Sequence, residues 1–280
     1  MTTPAQSPPA SPEIGHSVAV DGLATNYHDV GAGPPVLLLH GSGPGVSAWA
    51  NWRLNLPVLA QRYRVVAPDL LGFGYTAPAP GQQYSLARWL QHLVGFLDAL
   101  AIERVSVVGN SFGGALALAL AVQYPARVAR LVLMGAAGVD FELTPGLDAV
   151  WGYTPSAANM RQLIETFAYN QALVSDDLAQ LRFRASVRPG VYENYASMFP
   201  PPRQAHIGEL AQPVALLAGL VQPTLILHGR EDRIIPLACS LQLLQLIPHA
   251  QLHVFGHCGH WTQIEYCADF NRLVGDFLAP

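Results

Sequence analysis

The stretch Arg104–Ala121 reads RVSVVGNSFGGALALALA, a β-branched apolar run that meets Gly109-Asn110-Ser111-Phe112-Gly113-Gly114 and passes straight into alanine and leucine. The spacing predicts a strand, a sharp turn and a helix with Ser111 at the apex, because a chain reversing this tightly leaves no room for side chains at the flanking glycines. Such a turn lifts one hydroxyl above a sheet and aims the next backbone N–H, that of Phe112, at the same space. An ordinary glycine-rich turn with the serine as a helix cap would carry the same letters.

Outward from that unit, strands and helices alternate. Strands are expected at Ser17–Val20, Ala24–Val30, Pro35–His40, Arg64–Ala67, Val105–Val108, Val128–Met134, Thr224–His228 and Gln251–Phe255, and helices at Ser47–Ala60, Leu86–Leu100 and Pro236–Ile247, with a last helix ending near Leu278. The continuous apolar runs, PVLLLH above all, suit strands covered on both faces. This pattern predicts an α/β architecture: a mainly parallel eight-stranded sheet with helices on both faces and right-handed crossovers. From Ala137 to His206 no long β-type run occurs, prolines punctuate the chain and aromatic residues concentrate. That segment is expected to be a helical cap inserted over the carboxyl ends of the strands, where open α/β sheets bind ligands. The expected organisation is a disordered Pro/Ser/Ala tail at residues 1–14, a core formed by 15–136 and 207–280, and the cap at 137–206.

Composition narrows the function. The chain has 280 residues, 51% of them hydrophobic, and a net charge of −4 with 12% charged residues, which speaks against nucleic acid or an anionic membrane as partner. All fifteen basic residues are arginine. Three cysteines do not make a disulfide framework, and the N-terminus has neither the basic nor the apolar region of a secretory signal. A soluble cytoplasmic protein is the expectation.

A serine hydroxyl becomes a nucleophile only when a base takes its proton and a third group orients that base. On this fold the partners are expected in the order serine, acid, histidine, after later strands. Asp232 follows TLILHG within HGREDRIIP, and His260 follows QLHVF within GHCGHWTQ. Glu231 is the competing acid and His257 the competing base, while His253 falls inside a strand. His249, His253, His257, Cys258 and His260 look superficially like a metal cluster, but strand and loop positions do not converge as a helical His pair does, so no metal is expected. The oxyanion hole needs backbone N–H groups aimed at developing charge. Phe112 should supply one and the loop His40-Gly41-Ser42-Gly43 the other, at Ser42, whose hydroxyl could add to it. As a phosphate cradle, HGSGPG lacks the lysine and the helix start of a P-loop.

HGSGPG with SAWANW, VVAPDLLGFGYT, GNSFGG, ARLVLMGAAG, HGREDRIIPL and HVFGHCGHWTQIE together resemble the meta-cleavage product hydrolases of the α/β-hydrolase superfamily, over Val18 to Leu278. Within them, SAWANWR, GLDAVWGYTPS, ASVRPG and MFPPPRQ look most like the 2-hydroxymuconate semialdehyde hydrolases. The resemblance implies hydrolysis of a carbon–carbon bond in a dienoate made by ring-cleaving dioxygenases, without metal or organic cofactor, by an enzyme assembled as a homodimer or homotetramer. It implies that Ser111, Asp232 and His260 form a triad. It also implies that Asn51, Asn110 and Arg182 hold the carboxylate and 2-oxo end of the substrate, and that Phe167 and Trp261 line the pocket. A guanidinium suits a carboxylate, although Arg184 and Arg188 lie close by in sequence and any of the three could belong to a solvated surface. A carboxylesterase would use the same triad without the polar half-site. A haloalkane dehalogenase or epoxide hydrolase needs an aspartate where this chain has Ser111, and a non-catalytic receptor on this fold would have lost triad members.

Overall fold

The structure is a computed structural model that describes residues 11–279. Eight strands among them form one sheet: β1 (His16–Val20), β2 (Leu23–Val30), β3 (Pro35–Leu39), β4 (Arg64–Pro68), β5 (Val105–Asn110), β6 (Val128–Met134), β7 (Thr224–Gly229) and β8 (Ala250–Phe255). Their order is β1-β2-β4-β3-β5-β6-β7-β8. β2 pairs antiparallel with β1 and β4, and every later pairing is parallel. The expected sheet is thereby borne out.

The helices before the insertion are α1 (Ala48–Trp52), α2 (Leu56–Leu59), α3 (Leu86–Ala99) and α4 (Phe112–Gln123). The single helix expected over Ser47–Ala60 is broken in two because Pro57 has no N–H to continue the ladder and is suited only to a first turn. Between β6 and β7 come α5 (Pro145–Trp151), α6 (Ala157–Phe167), α7 (Asp176–Ser186), α8 (Val191–Met198), α9 (Gln204–Leu210) and α10 (Val214–Ala218), with no strand among the described residues. α9 runs across residue 206, where the cap was expected to end. After β7 follow α11 (Leu237–Leu246), α12 (Thr262–Glu265) and α13 (Cys267–Phe277).

Alternation along the strands sends side chains to two apolar layers. Leu37, Leu39 and Val107 join α3, α4, α11 and the inserted helices on one face, while Val36, Leu38 and Val108 join α1, α2 and α13 on the other. α4 is apolar on every side because it is buried on every side. No helix among the described residues is long and apolar enough to cross a membrane.

Residues 1–10 of the expected tail lie outside the described residues. Ser11–Ile14 differ from that expectation: they form a turn closed by Ile14 N–H to Ser11 O and are tied to β2 through Asn26, whose Nδ2 donates to Glu13 O at 2.9 Å. A fixed polar partner on β2 orders the segment despite its composition.

Candidate active site

The turn between β5 and α4 holds Ser111 at φ 56°, ψ −116°, a left-handed backbone for a residue with a side chain. Such strain costs on the order of 1–3 kcal/mol and is kept only where its surroundings enforce it. The glycines do the enforcing. A Cβ on Gly109 would stand 2.4 Å from Gly113 O, and one on Gly113 2.4 Å from Leu39 O, so only glycine permits the helix to start this close to the sheet. Ser111 N–H donates to Met134 O at 2.9 Å, locking the apex to β6.

Asp232 sits one turn beyond β7. Its Oδ1 accepts from the backbone N–H groups of Ile234 and Ile235 at 2.7 and 3.0 Å, and its Oδ2 lies 2.7 Å from His260 Nδ1. Both side chains are buried, with 1% and 3% exposure, so the pair is shielded from water and fixed in one orientation. With Nδ1–H directed at the aspartate, Nε2 is left as the acceptor that a general base needs. His260 and Ser111 line one cavity.

The competing assignments separate cleanly. Glu231 turns away to accept from Cys258 N–H at 3.0 Å and to pair with Arg230. His257 faces Tyr169 OH at 3.1 Å, and His253 packs edge-on against Phe255. No group of three or more His, Cys, Asp or Glu among the described residues is placed to hold a metal.

Phe112 N–H is the first amide of α4, and the Gly41-Ser42-Gly43 loop borders the same cavity. That loop is built from below. His40 Nε2 accepts from Leu70 N–H at 2.9 Å, its Nδ1 lies 2.7 Å from Gly41 O, and burial pulls its pKa down to about 4, so it stays neutral. Ser42 Oγ accepts from the Trp151 indole at 3.0 Å, leaving its own proton free to donate, and Ser42 O accepts from Tyr195 OH at 2.9 Å.

The cavity is lined by two unlike sets of side chains. One set is polar and comprises Asn51, Asn110 and Arg182. The Nδ2 groups of both asparagines are buried without a hydrogen-bond partner, an arrangement that is costly unless a ligand supplies an acceptor. Arg182 Nη2 donates to Gly45 O, and the side chain is 13% exposed. Arg184 is exposed and Arg188 stacks 3.8 Å over Tyr75, so of the three arginines only Arg182 borders the cavity. The other walls are aliphatic: Leu147 and Val150 from α5, Met160 and Ile164 from α6, and Ile234. Phe167, at the end of α6, lies parallel to Trp261 at 5.1 Å and to His260 at 5.8 Å.

Two carboxylates near the site escaped the reading of the sequence. Glu265 Oε1 accepts from Gly259 N–H at 2.8 Å, while its Oε2 accepts from Tyr169 and Asn170 N–H at 2.9 and 2.7 Å. It thus clamps the loop before His260 to the segment after α6. Glu13 lies 3.6 Å from Arg182. Neither sits in a local pattern that would mark it; only the run HVFGHCGHWTQIE drew Glu265 in.

The family model described as alpha/beta hydrolase fold matches residues 34–266. The chain is 58% identical over 273 residues to a 2-hydroxymuconate semialdehyde hydrolase of Pseudomonas sp., covering 98% of this chain and 96% of the relative. It is 60% identical over 267 residues to a 2-hydroxy-6-oxo-2,4-heptadienoate hydrolase of Pseudomonas putida, covering 95% and 97%. A meta-cleavage product hydrolase from Pseudomonas fluorescens, solved as a mutant complexed with acetates, superposes with a TM-score of 0.94 at 57% identity, covering 95% and 97%.

Proposed function

The chain belongs to the meta-cleavage product hydrolases of the α/β-hydrolase fold, and from that premise we propose that it hydrolyses the C5–C6 bond of a 2-hydroxy-6-oxohexa-2,4-dienoate bearing hydrogen or methyl at C6. The products are 2-hydroxypenta-2,4-dienoate and formate or acetate, a step in the breakdown of aromatic compounds after ring cleavage. One observation carries the reading: the cavity that Ser111 and His260 line also holds a second set of polar groups, Asn51, Asn110 and Arg182, and the amide donors of the two asparagines lack partners. An esterase needs only the first group. The aliphatic walls contributed by Leu147, Val150, Met160, Ile164 and Ile234 suit a small C6 substituent.

The roles follow from the chemistry. Arg182 and Asn51 hold the carboxylate, and Asn110 holds the 2-oxygen. In that grip the dienol passes its O–H proton away and takes one at C5 through His260, giving the 2-oxo-3-ene. This converts C5 from a poor leaving group into one whose electron pair can spread through C3–C4 to the C2 carbonyl. Ser111, giving its proton to His260, attacks C6, and the N–H groups of Phe112 and Ser42 receive the oxyanion. The C5–C6 bond breaks, its electrons form the dienolate of the five-carbon product, which takes the proton from His260 and leaves as 2-hydroxypenta-2,4-dienoate, and the acyl group stays on Ser111. Water activated by His260 then releases it, with Asp232 stabilising the imidazolium throughout. No metal or organic cofactor takes part in this scheme. We further place the enzyme in the cytoplasm, as a homodimer or homotetramer, which sedimentation measures directly.

The deciding experiment is rapid-mixing absorbance with the ring-fission dienoates. Ser111→Ala is expected to lose C–C cleavage by at least about 10³-fold while still binding the dienoate. A variant that consumes dienoate at the wild-type rate, or a wild-type enzyme that prefers simple aryl esters to dienoates, would overturn the assignment.

A further inference from the structure

Glu13 lies ahead of β1 on a segment pressed against β2. Gly15 allows the approach, since a Cβ there would meet Tyr27 O at 2.3 Å, and Gly15 N–H donates to Asn26 Oδ1 at 2.9 Å. From this fixed backbone the Glu13 side chain turns inward and is only 12% exposed. One oxygen accepts from Ser47 Oγ at 2.8 Å, and Ser47 caps α1, the helix that carries Asn51, by accepting from Ala50 N–H. The other oxygen stands 3.6 Å from Arg182 Nη1. One carboxylate therefore touches the support of Asn51 and faces Arg182.

The distance matters. At 3.6 Å the contact is an ion pair without a hydrogen bond, so Glu13 offsets the charge of the guanidinium without using up its N–H groups. Burial disfavours the charge on Arg182, and the Glu13 carboxylate is the foremost group opposing that effect. Arg182 also borders a second cavity, which Arg53 lines as well.

We propose that Glu13 is a resident counter-ion of Arg182 that sets how tightly the site holds a dienoate carboxylate, keeping the guanidinium neutralised between turnovers and weakening its grip on the anionic product. This inference rests on Arg182 being the carboxylate anchor. Glu13 is a positioning and specificity residue; it touches no reacting atom.

The test uses the full chain, with sorbate as a stable dienoate carboxylate and p-nitrophenyl acetate as a neutral ester. Glu13→Gln keeps the shape and an acceptor for Ser47 and removes the charge. It is expected to lower the inhibition constant for sorbate about fivefold and KM for the dienoate in the same direction, leaving ester turnover unchanged. In an Arg182→Gln background the same change should have no effect. Should Glu13→Gln prove too unstable to assay, Glu13→Asp, which draws the charge back by one methylene, is expected to shift sorbate binding in the same sense by a smaller factor. The proposal is overturned if sorbate binding is unchanged or weaker in Glu13→Gln, if ester turnover moves by the same factor, or if the fall persists without Arg182. If Arg182→Gln alone leaves sorbate binding unaltered, the anchor assignment fails and the inference falls with it; if Arg182→Gln weakens binding tenfold while Glu13→Gln does nothing, the anchor stands and only the counter-ion role is lost.

Discussion

Glu265→Gln probes how the base is held in place. The carboxylate accepts three backbone N–H bonds, from Gly259, Tyr169 and Asn170, and no arginine or histidine among the described residues pairs with it. An amide keeps the volume, removes the charge and turns one acceptor into a donor facing an N–H. Whichever way it rotates, at least one bond is replaced by a donor–donor contact and the rest become neutral. A charge-assisted bond contributes about 1.5–3 kcal/mol and a neutral one about 1 kcal/mol, so the dry-site loss is about 3 kcal/mol. Water reaches Tyr169 and Asn170, and the expected cost falls to about 2 kcal/mol. For a chain of 280 residues that lowers Tm by about 3–4 °C. Gly259 immediately precedes His260, so slack in the clamp displaces the imidazole, and displacement near 1 Å costs up to about 10²-fold. Calorimetry should therefore show the Tm fall, and rapid-mixing kinetics should show kcat down about ten- to hundredfold with KM changed less than about threefold, since Arg182, Asn51 and Asn110 are untouched. A variant whose Tm falls as expected but whose kcat stays within about twofold of wild type would refute the reasoning, because the loop would then hold His260 without the clamp.

Other consequences can be measured as directly. Gly113→Ala places a methyl 2.4 Å from Leu39 O and should cost more than about 3 kcal/mol, seen as loss of soluble, folded protein; a stable Gly113→Ala enzyme would contradict the packing of the turn. Ile164→Ala cuts back the aliphatic wall of the cavity and should move kcat/KM toward dienoates with isopropyl at C6 by about tenfold relative to methyl, read from competing-substrate assays. Burial lowers the pKa of His40 and His92 to about 4 from the ordinary 6.5, so the unfolded chain takes up their protons first. Their contribution to stability is whole above about pH 6.5 and is lost as pH falls toward 4, on the order of 3 kcal/mol for His40; urea midpoints that hold steady across that range would count against it.

The strands were legible to within a residue or two because buried parallel strands are continuous apolar runs, and PVLLL or TLILHG offers little else to be. The triad was legible because the fold places its three members after particular strands. Asn51, Asn110 and Arg182 were a different matter: nothing local separates Arg182 from Arg184 or Arg188, and only the resemblance singled it out. The aromatic residues of the insertion suggested a lined pocket, yet Trp151, Tyr195 and Phe199 pack with Phe73, Trp89 and Phe112 into the core that fastens the insertion to the sheet. Which face of a cap helix looks into the cavity depends on its docking, so the aliphatic wall from Leu147 to Ile234 could not be read from periodicity. Glu13 and Glu265 act on partners distant in the chain, and a lone carboxylate carries no trace of such a partner in its neighbours.

The amide of His260 donates to Phe167 O at 2.7 Å, and Phe167 ends α6. The base is thereby coupled to the cavity wall: the helix that contributes Met160, Ile164 and Phe167 to the lining also fastens the backbone of His260. A substitution that loosens the end of α6 should therefore change catalysis as well as the shape of the cavity.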